Sequence, residues 1–121
     1  MPSARQLAGR RAEEMVAAAM AARGWNCLAR NLRTPYAEVD LVFEKPGELL
    51  LLIEVKARSS RGWLGPEDHL GPAQRRRLFR AAEWLLRRQT GVARWRLDLA
   101  LVDLLGGMPV SWRLLEDIGL D

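Results

Sequence analysis

The chain predicts an α/β fold built on a mixed sheet, with its elements in the order αβββαββ. Three observations carry that expectation. Residues 3–23 and 72–90 repeat apolar side chains at helical spacing. Shorter apolar runs bounded by turn residues lie between and after them and read as strands. One run, Leu49-Leu50-Leu51-Leu52-Ile53, is aliphatic without a break, which implies burial on both faces and a central place in the sheet. A length of 121 residues predicts one domain, 1–121, with a single modest core.

Taken in order, Ser3 is placed to cap the first helix, and Gly24 stops it after Arg23. Ala8, Ala12, Met15, Val16, Ala19 and Met20 form its inner stripe. Glu14 points away from that stripe and Glu13 lies on its edge, from where a carboxylate can reach over a sheet; a solvated helix acid is the plainer account. Residues 25–30 read as a short strand and 31–36 as a loop. Two strands follow, 37–44 and 49–57, joined by Lys45-Pro46-Gly47-Glu48, and so short a connection makes them antiparallel neighbours. A long polar segment, 58–71, carries Trp63 and the sole histidine, His69. Pro72 suits the first turn of the second helix, whose inner face is Leu78, Ala81, Ala82, Leu85 and Leu86. Its arginines, among them Arg75, Arg76, Arg77 and Arg80, are assigned to the outer faces. Residues 93–102 and 110–115 read as the last strands, with Gly106-Gly107 in the turn between them, and no internal repeat or linker interrupts the chain.

Composition narrows the class of function. The net charge is +4, and 17 of the 19 cations are arginine. A basic, Arg-rich balance favours a polyanionic partner such as DNA, although Arg-rich codon usage gives the same bias. No apolar run is long enough to span a membrane, and the first residues lack an apolar signal core, so a cytoplasmic protein is expected. Cys27, the only cysteine, has no internal disulfide partner and reads as a reduced, buried packing residue.

The stretch 37–58, AEVDLVFEKPGELLLLIEVKAR, holds the chemistry. Folding it about Gly47 makes facing residue numbers sum to 94, so that Asp40 faces Glu54 and Glu38 faces Lys56. Directly opposed like charges destabilise a sheet, and buried charge without a partner costs more. An Asp–Glu pair in that position calls for a cation. Mg²⁺ suits it, because Mg²⁺ takes oxygen ligands and commonly uses one or two carboxylates together with waters and substrate phosphate; Mn²⁺ is the natural substitute. Asp40, Glu54 and a strand carbonyl near Val55 are the expected ligands. Lys56 shares a strand face with Glu54 and is placed to stabilise charge growing on a phosphoryl oxygen. The bland alternative is a Glu38–Lys56 ion pair beside a protonated or solvated Asp40–Glu54 pair.

With helix acid, strand Asp, hairpin and Glu-x-Lys in this order, the chain resembles the core of the PD-(D/E)xK, or restriction-endonuclease-like, superfamily. The stretches 9–13 (GRRAE), 37–42 (AEVDLV), 53–58 (IEVKAR) and 96–98 (RLD), with Gly24, resemble the YraN family of bacterial proteins, whose function is unassigned. They are also similar to archaeal Holliday-junction resolvases. The resemblance covers nearly the whole chain and is most specific in 37–58. It implies a restriction-endonuclease-like fold and Mg²⁺-dependent endonuclease chemistry on DNA, branched or junction DNA included. It places the metal acids at Asp40 and Glu54, the catalytic lysine at Lys56 and the helix acid at Glu13. The chain departs from the family pattern at Ala12 and Ala37, where Gly is usual, and at Gln74 or Arg75, where Lys is common.

Arg58, Arg75, Arg76, Arg77 and Arg80 are candidates for phosphate contact, each weighed against a solvated helix face. Trp63 reads as a base-stacking side chain, a wedge at a junction or an anchor for its own segment, and His69 as structural or solvent-exposed rather than catalytic. Asp98 is expected to pair with Arg96 or to serve at a strand edge rather than bind metal. A two-fold homodimer fits the cutting of symmetric junctions. Against the nuclease reading stand a non-catalytic nucleic-acid-binding protein and a protein-interaction module on the same fold.

Overall fold

The computed structural model describes residues 1–59, 70–89 and 91–118. Trp63 and His69 lie outside the described residues. The element order is α1 (Ala4–Ala22), β1 (Asn26–Arg33), β2 (Glu38–Lys45), β3 (Leu49–Ser59), α2 (Pro72–Arg88), β4 (Arg94–Leu105) and β5 (Met108–Leu115), the predicted αβββαββ. The strands form one five-stranded sheet in the order β1-β2-β3-β4-β5, with β3 at its centre. β3 and β4 are parallel and the other neighbours antiparallel. The parallel step follows from the crossover through α2 that separates these two strands in sequence.

Alternation along β3 sends side chains to two separate cores. Leu49, Leu51 and Ile53 pack with Ala8, Ala12, Val16 and Met20 of α1. Leu50 and Leu52 pack with Leu78, Ala81 and Ala82 of α2. One helix therefore covers each face, and the unbroken aliphatic run is buried from both sides. The α1 start is a full capping box: Gln6 N–H donates to Ser3 Oγ at 3.1 Å, and Ser3 N–H donates to Gln6 Oε1 at 2.8 Å. Gly24, at φ 94°, takes the left-handed conformation that ends the helix.

Several sequence expectations are corrected. β1 runs to Arg33, through part of the stretch read as loop, because it pairs with β2 as far as Arg33↔Glu38. The hairpin closes in four residues, with Thr34 Oγ1 donating to Ala37 O at 2.7 Å and accepting from Ala37 N–H at 3.0 Å. Cys27 is exposed and free rather than buried, since β1 is an edge strand and a bulge falls between Cys27 and Ala29. β4 extends to Leu105. α2 ends at Arg88, where Gln89 turns extended with ψ 118°. Among the described residues, no helix is long and apolar enough to cross a membrane.

Candidate functional site

The β2–β3 register is Leu41↔Ile53, Val42↔Leu52, Phe43↔Leu51, Glu44↔Leu50 and Lys45↔Leu49. Each pair sums to 94, as the turn about Gly47 requires. The ladder ends at Leu41↔Ile53, one step short of Asp40 and Glu54. There a side chain takes over from the backbone: Val55 N–H donates to Asp40 Oδ2 at 2.8 Å. The strands fork at that point, and the fork opens a cleft of about 400 Å³ lined by Glu13, Asn31, Glu38, Asp40, Glu54, Gln74 and Arg77 among others. Residues from both helices and from β1, β2 and β3 meet at this end of the sheet.

Glu54 is the anchor. It is 6% exposed and sits on the α2 face of β3, where Gln74 Nε2 donates to Glu54 Oε2 at 2.7 Å. Lys56 Nζ lies 3.6 Å from the same oxygen. The other oxygen, Oε1, is buried and has no hydrogen-bond partner among the described residues. Burial, then a proton shared with Asp40 and the negative charge of Asp40, push the Glu54 carboxyl up to about 9; Lys56 pulls it back only in part. Without a cation this carboxyl holds its proton at neutral pH, because two carboxylates with little water cannot both ionise.

Glu13 stands half-buried on the edge of the α1 stripe, and Glu14 is exposed, as expected. Burial and then the charge of Asp40 raise the Glu13 carboxyl above its usual range, while Asn31 lowers it. Although α1 covers the opposite face from Glu54, Glu13 reaches the cleft at the fork. The predicted Glu38–Lys56 partnership is not formed: Lys56 pairs with Glu54. Its premise was a ladder continuing past Asp40, and the ladder stops at Leu41. Glu38 instead lines the acidic cleft.

Among the described residues, no three His, Cys, Asp or Glu side chains form a ready-made metal cage. The donor set nevertheless fits a divalent ion that binds few protein ligands. Two carboxylates converge, one buried oxygen of Glu54 has no donor among the described residues, and Mg²⁺ characteristically completes its shell with water and substrate oxygens.

The candidate cations separate. Arg77 lines the acidic cleft. Arg76 is exposed, and Arg80 lines a small cleft with Tyr36, Glu83 and Arg87. Arg75 is 9% exposed, a correction to its outer-face assignment: with Leu78 and Ala82 it falls at i, i+3 and i+7, on the stripe α2 turns to the sheet. Arg58 is exposed and lines a second cleft, on the α1 side. Asp98 is fully buried and pairs with Arg96 in a two-pronged contact, Nε to Oδ1 at 2.9 Å and Nη2 to Oδ2 at 2.8 Å, as expected. It also accepts from Asp117 N–H at 2.9 Å.

Sequence reasoning assigns no role to two residues of the cleft. Gln74 stands out only as a departure from the family pattern, shared with Arg75, and the fold sets it against Glu54. Asn31 has φ 49°, in the left-handed region that Asn tolerates better than most residues; an Asn between extended segments was the available signal.

Fold and site together define a mixed α/β protein with a buried Glu54 beside a half-buried Asp40 where its two hairpin strands part. The chain belongs to UPF0102, an uncharacterised protein family, whose model matches residues 12–102, the family that the YraN resemblance pointed to. It is 46% identical over 83 residues to a UPF0102 protein of Anaeromyxobacter dehalogenans, covering 68% of this chain and 61% of that one. It is 41% identical over 101 residues to one from Granulibacter bethesdensis, covering 81% of this chain and 61% of that one. With one from Thermus thermophilus it shares 39% identity over 108 residues, covering 89% and 91%. The chain thus spans about three-fifths of the first two relatives and nearly all of the third.

Proposed function

We propose that this protein is a divalent-metal-dependent endonuclease that hydrolyses phosphodiester bonds in DNA, branched DNA included, in the cytoplasm. The observation that carries the reading is Glu54: a carboxyl buried beside a second carboxylate, with one oxygen that no donor among the described residues reaches. With both acids ionised, such an arrangement costs free energy unless a cation occupies it. Asp40 and Glu54 would hold Mg²⁺, or Mn²⁺ in its place. When bound, the ion supplies a Lewis acid that draws charge from phosphate oxygens and makes water a stronger nucleophile.

The chain's own groups do the rest. Val55 N–H fixes one oxygen of Asp40, and Gln74 fixes one oxygen of Glu54, so the pair meets substrate with little rotamer freedom left to lose. Lys56, beside Glu54, offers its ammonium to a non-bridging phosphoryl oxygen, where negative charge grows as the ester bond breaks. Glu13 at the rim, with its proton affinity raised, is suited to hold a water or accept a proton. Arg77, at the same cleft, contacts a backbone phosphate and fixes position rather than sequence.

The test is cleavage of linear duplex, single-stranded and four-way-junction DNA with Mg²⁺ or Mn²⁺. Wild type must cut at least one substrate, and Asp40→Ala, Glu54→Ala and Lys56→Ala must not. Equal activity in all four proteins would identify a contaminating nuclease and overturn the proposal. Salt-sensitive DNA binding without cleavage, unchanged by the three substitutions or by EDTA, would mark a non-catalytic binding protein instead.

A further inference from the structure

A second cleft, of about 630 Å³, lies on the α1 side of the sheet and shares Glu13 with the acidic one. One wall is a line along α1: Arg5, Gly9 and Glu13, spaced i, i+4 and i+8 and so stacked on one helix face. The floor is apolar, formed by Val55 and Ala57 of β3 with Leu104 of β4, and Arg58 stands at the same end. Gly9 is the informative residue. Glycine inside a helix costs roughly 1 kcal/mol relative to alanine, and helices keep one where something must approach closely. Among the described residues nothing does so here: a Cβ built on Gly9 meets none of their atoms within 4 Å. The missing side chain leaves room that no described residue fills, between Arg5 and the acid shared with the other cleft.

We infer that this cleft binds an unpaired nucleotide of the nucleic-acid strand, with its base or sugar on the Gly9–Val55–Ala57 surface and its phosphates at Arg5 and Arg58. The inference rests on the nucleic-acid reading of the neighbouring acids and names the substrate feature they would act beside. Charge supports this occupant, since two arginines flank an apolar floor and suit the two halves of a nucleotide. Size supports it too: the volume falls within the range of pockets for small ligands, which a single nucleotide fits and a duplex does not. Continuity through Glu13 puts the bound nucleotide next to the phosphate at the acidic cleft.

The experiment is fluorescence anisotropy in EDTA, with a labelled blunt duplex and the same duplex carrying a single-stranded flap. Wild type should prefer the flap. Gly9→Leu, which fills the cleft, should lose about tenfold or more of its flap affinity and leave duplex affinity within about twofold. Gly9→Ala should keep the preference, because its added methyl meets no neighbour. Ala57→Leu fills the same space from the sheet and repeats the test should Gly9→Leu disturb the helix. Flap affinity unchanged in both filling variants, or flap and duplex affinity falling together, overturns the inference. Because binding is read without metal, absent cleavage by the Mg²⁺-loaded wild type counts against the nuclease proposal alone.

Discussion

The Asp40 carboxylate accepts a 2.8 Å hydrogen bond from the amide of Val55 on the neighbouring strand, one step past the last paired residues of that ladder. Asp40 therefore satisfies backbone and carries charge at once, and the two roles separate by substitution. Asp40→Asn keeps an acceptor for Val55 N–H and loses the charge. Asp40→Ala loses both and leaves a partly buried amide without its partner, at a cost of about 1–3 kcal/mol. Urea denaturation should show Asp40→Ala destabilised by that amount and Asp40→Asn close to wild type, while neither cuts DNA. Identical midpoints for the two variants would show that Val55 finds another acceptor.

Glu54 ties stability to pH in the metal-free protein. Its carboxyl titrates at about 9 when folded, against an ordinary 4.5. The unfolded chain therefore releases this proton first as pH rises. The group's contribution is full below about 4.5 and is lost progressively as pH climbs to about 9. In EDTA, unfolding free energy should fall between pH 5 and 9 with a slope of up to about 1.4 kcal/mol per pH unit. Glu54→Gln has no proton to lose and should flatten that slope. A wild-type slope that survives in Glu54→Gln would assign it to other groups.

Gln74 holds one oxygen of Glu54 at 2.7 Å, and the other, Oε1, has no donor among the described residues; in the proposed metal site it is a ligand. Replacing Gln74 by leucine keeps a side chain of similar bulk and removes the donor. Groups that orient a metal ligand in this way typically change affinity by about 10–100-fold when lost. Gln74→Leu should raise the Mg²⁺ concentration needed for half-maximal cleavage by that range, with little change in the rate at saturating metal. A fall in the saturated rate alone, at unchanged metal affinity, would refute the orienting role.

Much of the hairpin was legible because one short turn fixes its register. Once Lys45-Pro46-Gly47-Glu48 is read as the connection, Leu41↔Ile53 follows by arithmetic, and Asp40 and Glu54 come next in line. Where the ladder ends was not legible, since a side chain replaces a backbone partner only once the strands are placed in space. That is why Lys56 was assigned to Glu38 and is found on Glu54. Cys27 misled for a related reason: apolar neighbours mark a strand, but only sheet order reveals that the strand is an edge. The arginine-rich second helix hid Arg75 among residues of identical chemistry, and Gln74 stood out only as a departure from the family pattern, because its role lies in what it touches.

Asp98 is the contrasting acid. It is fully buried, yet Arg96 and the Asp117 amide already satisfy it. Arg96 is partly exposed and keeps Glu116 at 3.0 Å, so removing Asp98 chiefly strands the Asp117 amide and costs about 1–3 kcal/mol. Asp98→Ala should lower the urea midpoint accordingly, and the folded fraction should keep the Mg²⁺ dependence of the wild type. A changed metal requirement at full folding would move Asp98 into the reacting site.

Arg75 and Arg77, two residues apart on α2, should differ in a DNA-binding titration although both are arginines. Arg77 lines the acidic cleft, whereas Arg75 is buried on the stripe facing the sheet. A cation that contacts phosphate releases condensed counterions on binding, so its loss reduces the slope of log affinity against log salt by about 0.9. Arg77→Ala should show that reduction, weaken binding alike across sequences, and leave the unfolding midpoint nearly unchanged. Arg75→Ala should do the reverse, keeping the salt slope and losing stability through lost packing of its long aliphatic stem. Anisotropy titrations at four or more salt concentrations, paired with urea denaturation of each variant, measure both quantities. A reduced salt slope in Arg75→Ala at full stability would return that residue to the nucleic-acid surface.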